Sequence, residues 1–418
     1  EAQAAHQPEL GATAAIQRLA LSCSSAERAL WSGYATAQMP PAGRPHIEIS
    51  SALAQSLFCE GKIAEATKLR RDIEQALHND GTAASAGAAL DLARAELALG
   101  DLSGADTAAR RATAIYVRIY GARHPLSQTA RLIAAEAELS VPAASAAAIE
   151  EIGHVLGELR DHAEPDAVRA RALAVQSRLA AIRGQRDEAL RLIQHAAQEY
   201  EAALGGAHPE LAAALARAGD LLLADGRDQE AEASYRQVVA IFETLGHSEA
   251  AGLAHARAGI QLARWGARPP ADAEDTLQWG LSPTGGTLDP AVAGWIAEQL
   301  GRRAAARGDQ AGALAHYRAA VTAWQQSGDL RGLASALSEG ALLAVELHDA
   351  DARALLEQAL QVAVADKPRL QGELARLLWT AERDRARALA RAAIAELPDS
   401  GGSASDLKRW LQRHDAER

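Results

Sequence analysis

Glycines recur along this chain at nearly constant spacing, and this spacing constrains the fold more than any other feature. Gly184 and Gly226 are 42 residues apart, and so are Gly266 and Gly308. Gly100 precedes Gly184 by 84 residues, which is two such steps. Self-similarity with a period of roughly 20 to 50 residues indicates an array of small units, each burying its apolar face only against its neighbours. We therefore expect a repeat array that begins near Gly61.

Each repeat carries small and aromatic residues at fixed distances from its turn glycine. In the clearest copy Gly226 is followed by Ala231 and Tyr235, and Gly219 precedes it within the same predicted helix. Small residues are expected where antiparallel helices touch, and a turn glycine can adopt positive φ at a helix C-terminus. The aromatic residue is expected to fill the gap between successive hairpins. A weakened copy falls at Pro142.

Two turns share the pattern Gly-x-x-His-Pro, YGARHP at 120–125 and LGGAHP at 204–209. Proline suits the first position of a helix, where the missing N–H would have no partner. His124 and His208 invite a metal-binding or catalytic interpretation. We favour a role in helix initiation, because no Asp, Glu or Cys stands at ligand spacing beside them.

Composition points to helices throughout. Hydrophobic residues make up 48% of the chain but aromatic residues only 4%, and Ala and Leu, which favour helices, dominate. We predict an all-α fold, a right-handed superhelical α-solenoid of antiparallel helix pairs. Its predicted parts are an N-terminal helical cap or degenerate repeat at 1–45, about eight to nine hairpins at 46–398, and a capping helix at 399–418. A helix at 270–279 and a loop at 280–288 are also predicted.

The repeat pattern resembles the tetratricopeptide repeat, and its 42-residue period with long turns resembles kinesin light chains. The resemblance implies that the first helix of each pair lines a concave groove where a protein or peptide partner binds. Alignment on the turn glycines predicts the residues of this groove: Arg94, Glu136, Arg171, Arg178, Asp220, Trp295, Glu298 and Arg302.

Two interpretations of these groove residues stay open. Arginine and tryptophan are frequent interface hot spots, so Trp295 would be an apolar anchor for the partner. Alternatively, Arg178 and Arg302 pair with neighbouring carboxylates, and Trp295 is half-buried packing.

Several functional classes are disfavoured. The net charge is −11 without a basic stripe, which argues against nucleic-acid binding. The sequence has no run of about 18 apolar residues, so it predicts no membrane span. Phosphate loops, dinucleotide fingerprints, paired metal-ligand motifs and nucleophile motifs are missing from the sequence, so we expect no enzyme activity, no metal and no cofactor.

The two cysteines, Cys23 and Cys59, are 36 residues apart, which is no metal-ligand spacing. Two separate buried thiols are the preferred interpretation from the residues alone. The alternative is a disulfide that staples the N-terminal cap, which requires an oxidising compartment.

The segment 372–412 contains Leu378-Trp379, an Arg-rich turn at 383–387 and Trp410-Leu411. It resembles the tail of the non-catalytic tetratricopeptide region in bacterial serine/threonine protein kinases. The resemblance implies a piece of a longer polypeptide, a periplasmic sensor in which a Cys23–Cys59 disulfide is sensible. A stand-alone cytoplasmic regulator is the rival hypothesis, and a homodimer through the end repeats stays open.

Overall fold

The computed structural model describes residues 8–38, 44–78, 80–139, 146–159, 166–247, 250–266, 272, 290–362, 367–397 and 402–416. Over these residues the chain forms twenty helices and no strand, so the all-α prediction is confirmed. In chain order they are α1 (Pro8–Leu21), α2 (Ser25–Gln38), α3 (Arg44–Cys59), α4 (Ile63–Ala76), α5 (Ala83–Leu99), α6 (Leu102–Tyr120), α7 (Pro125–Leu139), α8 (Ala146–Glu158), α9 (Ala167–Ile182), α10 (Arg186–Leu204), α11 (Pro209–Ala224), α12 (Asp228–Leu245), α13 (Ala251–Trp265), α14 (Pro290–Ala306), α15 (Gln310–Ser327), α16 (Leu330–Glu346), α17 (Ala352–Val362), α18 (Lys367–Leu378), α19 (Arg383–Glu396) and α20 (Gly402–Ala416).

The chain divides into two compact units. The first unit contains α1 to α13, and the second is built on Ala293–Arg418. Within each unit, consecutive helices pack against one another as antiparallel hairpins. The predicted helix at 270–279, the loop at 280–288 and the repeat copy at Pro142 lie outside the described residues. Within the described ranges, no helix has both the length and the apolar character needed to cross a bilayer.

The turn glycines end the first helix of each hairpin as the spacing predicts. All six that carry the repeat step have positive φ, between 56° and 87°. At Gly100, for example, φ is 87° and the backbone closes α5 by donating to Glu96 and Leu97 carbonyls. Side chains carrying Cβ rarely adopt this conformation, which explains why glycine recurs there.

Tyr235 on α12 shows how one hairpin packs against the next. Its ring is fully buried between Gly219 on α11 and Gly259 on α13. A Cβ added at Gly219 would lie 2.7 Å from the ring, and one at Gly259 would lie 2.5 Å from it. Both distances are shorter than van der Waals contact. Glycine is therefore required on both sides of the ring, and the aromatic residue fills the gap between hairpins.

The Gly-x-x-His-Pro turns begin helices. His208 Nδ1 accepts a hydrogen bond from the Glu210 N–H at 3.2 Å, and His124 Nδ1 accepts one from Leu126 at 3.3 Å. Each imidazole thus satisfies one of the N–H groups that a helix N-terminus leaves without a partner. Pro209 then begins α11, and Pro125 begins α7.

Of the two alternatives for the cysteines, the structure has the bonded one. A disulfide joins Cys23, in the α1–α2 connection, to Cys59 at the end of α3. It ties the first hairpin to the second.

Candidate functional site

In the first unit, the first helices of successive hairpins carry charged side chains, several of which interact with one another. We call this set the first-helix charge row. Its members come from α5, α7, α9, α11 and α13, and they are Arg94, Glu136, Arg171, Arg178, Arg217, Asp220 and His255. Five of them are predicted groove residues, whereas Arg217 and His255 are not.

Glu136 on α7 is the acidic centre of the row. Its carboxylate accepts hydrogen bonds from Arg178 at 2.8 Å and from Arg171 at 3.2 Å, both on α9. All three side chains are largely buried, with 13% to 18% of each exposed. The ion pairing considered from the sequence for Arg178 is therefore present. One carboxylate serves two guanidinium groups, and Glu210 also attracts Arg171 without a hydrogen bond to it.

Asp220 on α11 is the second acidic centre. Its Oδ1 accepts a hydrogen bond from the Tyr235 hydroxyl at 2.7 Å and lies 2.9 Å from His255 Nε2 on α13. Burial alone would raise the pKa of Asp220. The imidazolium form of His255 and the two hydrogen bonds outweigh burial, so the pKa lies below its ordinary value. Asp220 is thus held as a carboxylate by groups from two neighbouring elements.

Arg217, one turn before Asp220 on α11, is not satisfied in this way. Its Nε is buried and has no hydrogen-bond acceptor among the described residues. Burial and the nearby Arg178 lower the pKa of Arg217, and the attraction of Asp220 and Glu136 does not compensate. An arginine is nevertheless charged at neutral pH. The side chain thus keeps a positive charge while its Nε, on a residue of intermediate exposure, is a buried donor that an external anion would stabilise.

Two other members of the row also have a buried Nε without a hydrogen-bond acceptor. Within the part of the chain that the structure describes, no acceptor reaches the buried Nε atoms of Arg94 and Arg171. Arg94 otherwise pairs with Asp91 through a long contact of 3.4 Å. Buried polar groups are normally satisfied, and those that are not commonly face a ligand or ordered water. Donor capacity without acceptors therefore recurs on α5, α9 and α11.

The second unit places its predicted residues differently. Glu298 on α14 is buried and accepts hydrogen bonds from Arg302 on the same helix and from the Ser335 hydroxyl, the latter at 2.7 Å. The Arg302 side chain is 44% exposed. Trp295 is partly buried on the same helix. Here the carboxylate and the arginine neutralise each other within one helix.

A separate groove lies on the opposite side of α11, between α10 and α12. Its floor is apolar and includes Leu211, Leu215 and Ala218, while Gln194 and Gln198 lie along its edge. It contains no member of the first-helix charge row. The sequence alignment on turn glycines did not indicate it.

The predicted groove residues do not include Arg217. They lie six, ten or thirteen residues before the turn glycine or its equivalent, and the commonest position is six residues before it. Arg94, Arg178 and Asp220 occupy that position, whereas Arg217 lies nine residues before Gly226. Helical geometry gives a usable signal, since residues three apart share a helix face. Extending the alignment by one turn would have included Arg217.

Two stretches of the chain match family models described as tetratricopeptide repeat. One match covers residues 168–244, from α9 to α12, and the other covers 85–126, from α5 into α7. The chain contains tetratricopeptide repeats. The predicted repeat type is thereby confirmed. Five members of the first-helix charge row lie within the matched stretches, and Glu136 and His255 lie outside them.

Several solved structures match this chain, two of them with TM-scores of 0.50 or more. The Rap conjugation gene regulator of plasmid pLS20, in complex with the Phr peptide, is 14% identical with a TM-score of 0.54, over 72% of this chain and 84% of that one. NprR in complex with its cognate peptide NprX is 10% identical with a TM-score of 0.50, over 93% and 98%. A kinesin light chain repeat structure from Podosopora anserina is 20% identical with a TM-score of 0.33, over 48% and 96%. No curated protein matches the sequence.

Proposed function

We propose that this chain is a non-catalytic tetratricopeptide module that binds a peptide or protein segment along the first-helix charge row. The observation that carries the proposal is the buried Nε of Arg217, which has no acceptor among the described residues. A buried N–H of a charged group without an acceptor is costly in the free protein, and it rewards a ligand that supplies an anion. The ligand therefore presents a carboxylate to Arg217.

The surroundings of Arg217 support an acidic ligand rather than a basic one. Glu136 is already engaged by Arg171 and Arg178, and Asp220 by Tyr235 and His255. Each carboxylate already has two partners, whereas Arg217 Nε has no acceptor among the described residues. The Rap regulator and NprR share the fold and were each solved with a peptide bound, which supports a peptide as the ligand.

In the second unit, we propose that Trp295, Glu298 and Arg302 form a separate contact surface. Trp295 would pack against an apolar side chain, and the exposed Arg302 guanidinium would add a polar contact at the edge. Because Glu298 already neutralises Arg302, this surface contributes less to affinity than the first-helix charge row.

A synthetic peptide array tests the proposal without a known ligand. Peptides are made in pairs, one carrying Asp or Glu and its twin carrying Asn or Gln at the same positions, and binding of the full chain is measured. We expect the acidic member of a retained pair to bind more tightly. Arg217→Gln should weaken this binding at least about tenfold, because a hydrogen bond to a charged group is worth about 1.5–3 kcal/mol.

The matched control is Arg191→Gln, an exposed arginine on α10 that pairs with Glu188 outside the row. This variant should bind the same peptides as the wild type. The proposal is wrong if the amide twins bind as well as the acidic peptides, or if Arg217→Gln and Arg191→Gln behave alike.

The finer assignment concerns the larger system. We propose that the module is the sensor region of a bacterial transmembrane serine/threonine protein kinase, supported by the resemblance of 372–412 to such tails. A stand-alone regulator is the second candidate, favoured by the fold of the Rap regulator and NprR. The coding sequence upstream of Glu1 separates them. A kinase domain followed by one apolar span supports the first, and a start codon a few residues upstream supports the second.

A further inference from the structure

The disulfide lies beside a histidine that the proposed function does not use. Cys59 Sγ is 3.8 Å from Nδ1 of His247, which follows α12 and is 188 residues further along the chain. The ligand atoms of Cys23, Cys59 and His247 all lie within 4.8 Å of one another. Three soft or borderline metal ligands from three separate segments thus meet at one point of the first unit.

Contacts other than the disulfide hold the two cysteine segments together. Ser22 Oγ and Ser56 Oγ are 3.0 Å apart, and both are buried. Arg28 on α2 forms an ion pair with the buried Glu60, which follows Cys59 and also pairs with Lys62 at 3.0 Å. When the disulfide is reduced, these contacts keep the thiols adjacent.

The third ligand is positioned by a helix end. Gly246 closes α12 with φ of 70°, and the His247 N–H donates to the Phe242 carbonyl at 3.0 Å. The backbone at His247 is therefore fixed by the last turn of α12. The folded end of α12 therefore places the His247 imidazole beside Cys59.

We propose that reduction converts this cluster into a zinc site with Cys23, Cys59 and His247 as ligands. With Zn–S near 2.3 Å and Zn–N near 2.0–2.1 Å, tetrahedral geometry places a sulfur and a nitrogen ligand about 3.6 Å apart. Cys59 and His247 are already close to that separation. Thiolate and imidazole ligands select zinc over magnesium or calcium. Water occupies the fourth position.

The chemistry balances with a dithiol as reductant. The dithiol gives two electrons and two protons to the Cys23–Cys59 bond, which becomes two thiols, and is itself oxidised to a disulfide. Zn²⁺ then displaces the two thiol protons to solvent, forming two S–Zn bonds and one N–Zn bond. The oxidised chain links only α1–α2 to α3. The zinc form also links α3 to the turn after α12, across the helices that carry most of the first-helix charge row.

Metal titration of the full chain tests this site independently of any peptide. The protein is reduced with dithiothreitol, desalted without oxygen, and titrated with Zn²⁺ by calorimetry and with Co²⁺ by absorption. We expect one metal per reduced chain, with the intense d–d bands of a tetrahedral Co²⁺ thiolate, and none at this site in the oxidised chain. His247→Ala should weaken zinc binding at least about tenfold and remove those bands.

The matched control is His154→Ala, an exposed histidine on α8 that is not part of the cluster. It should bind zinc as the wild type does. Cys23→Ser with Cys59→Ser should abolish binding, with folding checked by circular dichroism. If that double variant does not fold, the cobalt spectrum of His247→Ala decides alone. Equal metal uptake by the oxidised chain, or unchanged binding by His247→Ala, would overturn the proposal.

Discussion

The tyrosine that follows the turn glycine packs between two glycines in both units, but with different tightness. In the first unit Tyr235 is buried between glycines of α11 and α13, and a Cβ at Gly259 would lie 2.5 Å from its ring. In the second unit Tyr317 on α15 lies between Gly301 and Gly340, where added Cβ atoms would be 3.2 Å from it. One gap admits no extra atom, whereas the other admits one after a small shift. The same sequence pattern thus encodes different tolerances.

The electrostatics of the two units differ more. Asp220 in the first unit is bound by Tyr235 and His255, while Arg217 on the same helix is left without an acceptor among the described residues. In the second unit Glu298 and Arg302 satisfy each other within α14. The shared repeat supplies the frame, and the choice of ion-pair partners decides which unit presents an unsatisfied cation to a ligand.

The largest expected effect is a difference in stability between the alanine variants of Gly259 and Gly301. Gly259→Ala should lower the free energy of unfolding by about 1–2 kcal/mol, because overpacking costs about 1–3 kcal/mol and the helix preference of alanine returns up to about 1. Gly301→Ala should leave stability within about 1 kcal/mol of the wild type, because a shift of a few tenths of an ångström accommodates the methyl group.

Hydrogen exchange of α12 and α15 amides reads the two units separately. Faster exchange in α12 for Gly259→Ala, without a matching change in α15 for Gly301→Ala, is the expected outcome. If Gly301→Ala is the more damaging substitution, the difference in tightness between the two gaps is not real.

A smaller difference in stability is expected between variants that lack the hydroxyl of Tyr235 or of Tyr317. Tyr235→Phe removes a hydrogen bond to the Asp220 carboxylate and should cost about 1.5 kcal/mol. Tyr317→Phe should cost close to nothing, because the Tyr317 hydroxyl has no hydrogen-bond partner in the described part of the chain. Burial raises the pKa of this hydroxyl to about 12. Urea unfolding of both variants measures the difference. Equal losses would show that the two aromatic residues stabilise only through their rings.

The packing was predictable from the sequence because it depends on local spacing. Gly219, Tyr235 and Gly259 follow the repeat, and helix geometry places them together. The unsatisfied state of Arg217 was not predictable in this way. It depends on Glu136 and Asp220 being engaged by other partners. The repeat spacing does not determine which of several neighbouring donors a carboxylate binds. His247 meets Cys59 from 188 residues away, so no spacing rule reports that contact.

The smallest effect concerns pH and the bond between Asp220 and His255. Because the pKa of Asp220 is lowered on folding, its charge stabilises the folded state above the unfolded pKa, near 3.8, and this contribution is lost as pH falls through the folded value. Asp220→Asn removes it. The variant should be less stable than the wild type at neutral pH by under about 1 kcal/mol, since the side chain is 35% exposed and solvent screens the pair. The difference should shrink as pH falls below 3.8. Unfolding curves across pH 3 to 7 (about four points) measure it, with Glu298→Gln in the second unit as the comparison. A difference that stays constant over this range would mean that Asp220 acts through packing, and that its charge does not stabilise the first-helix charge row.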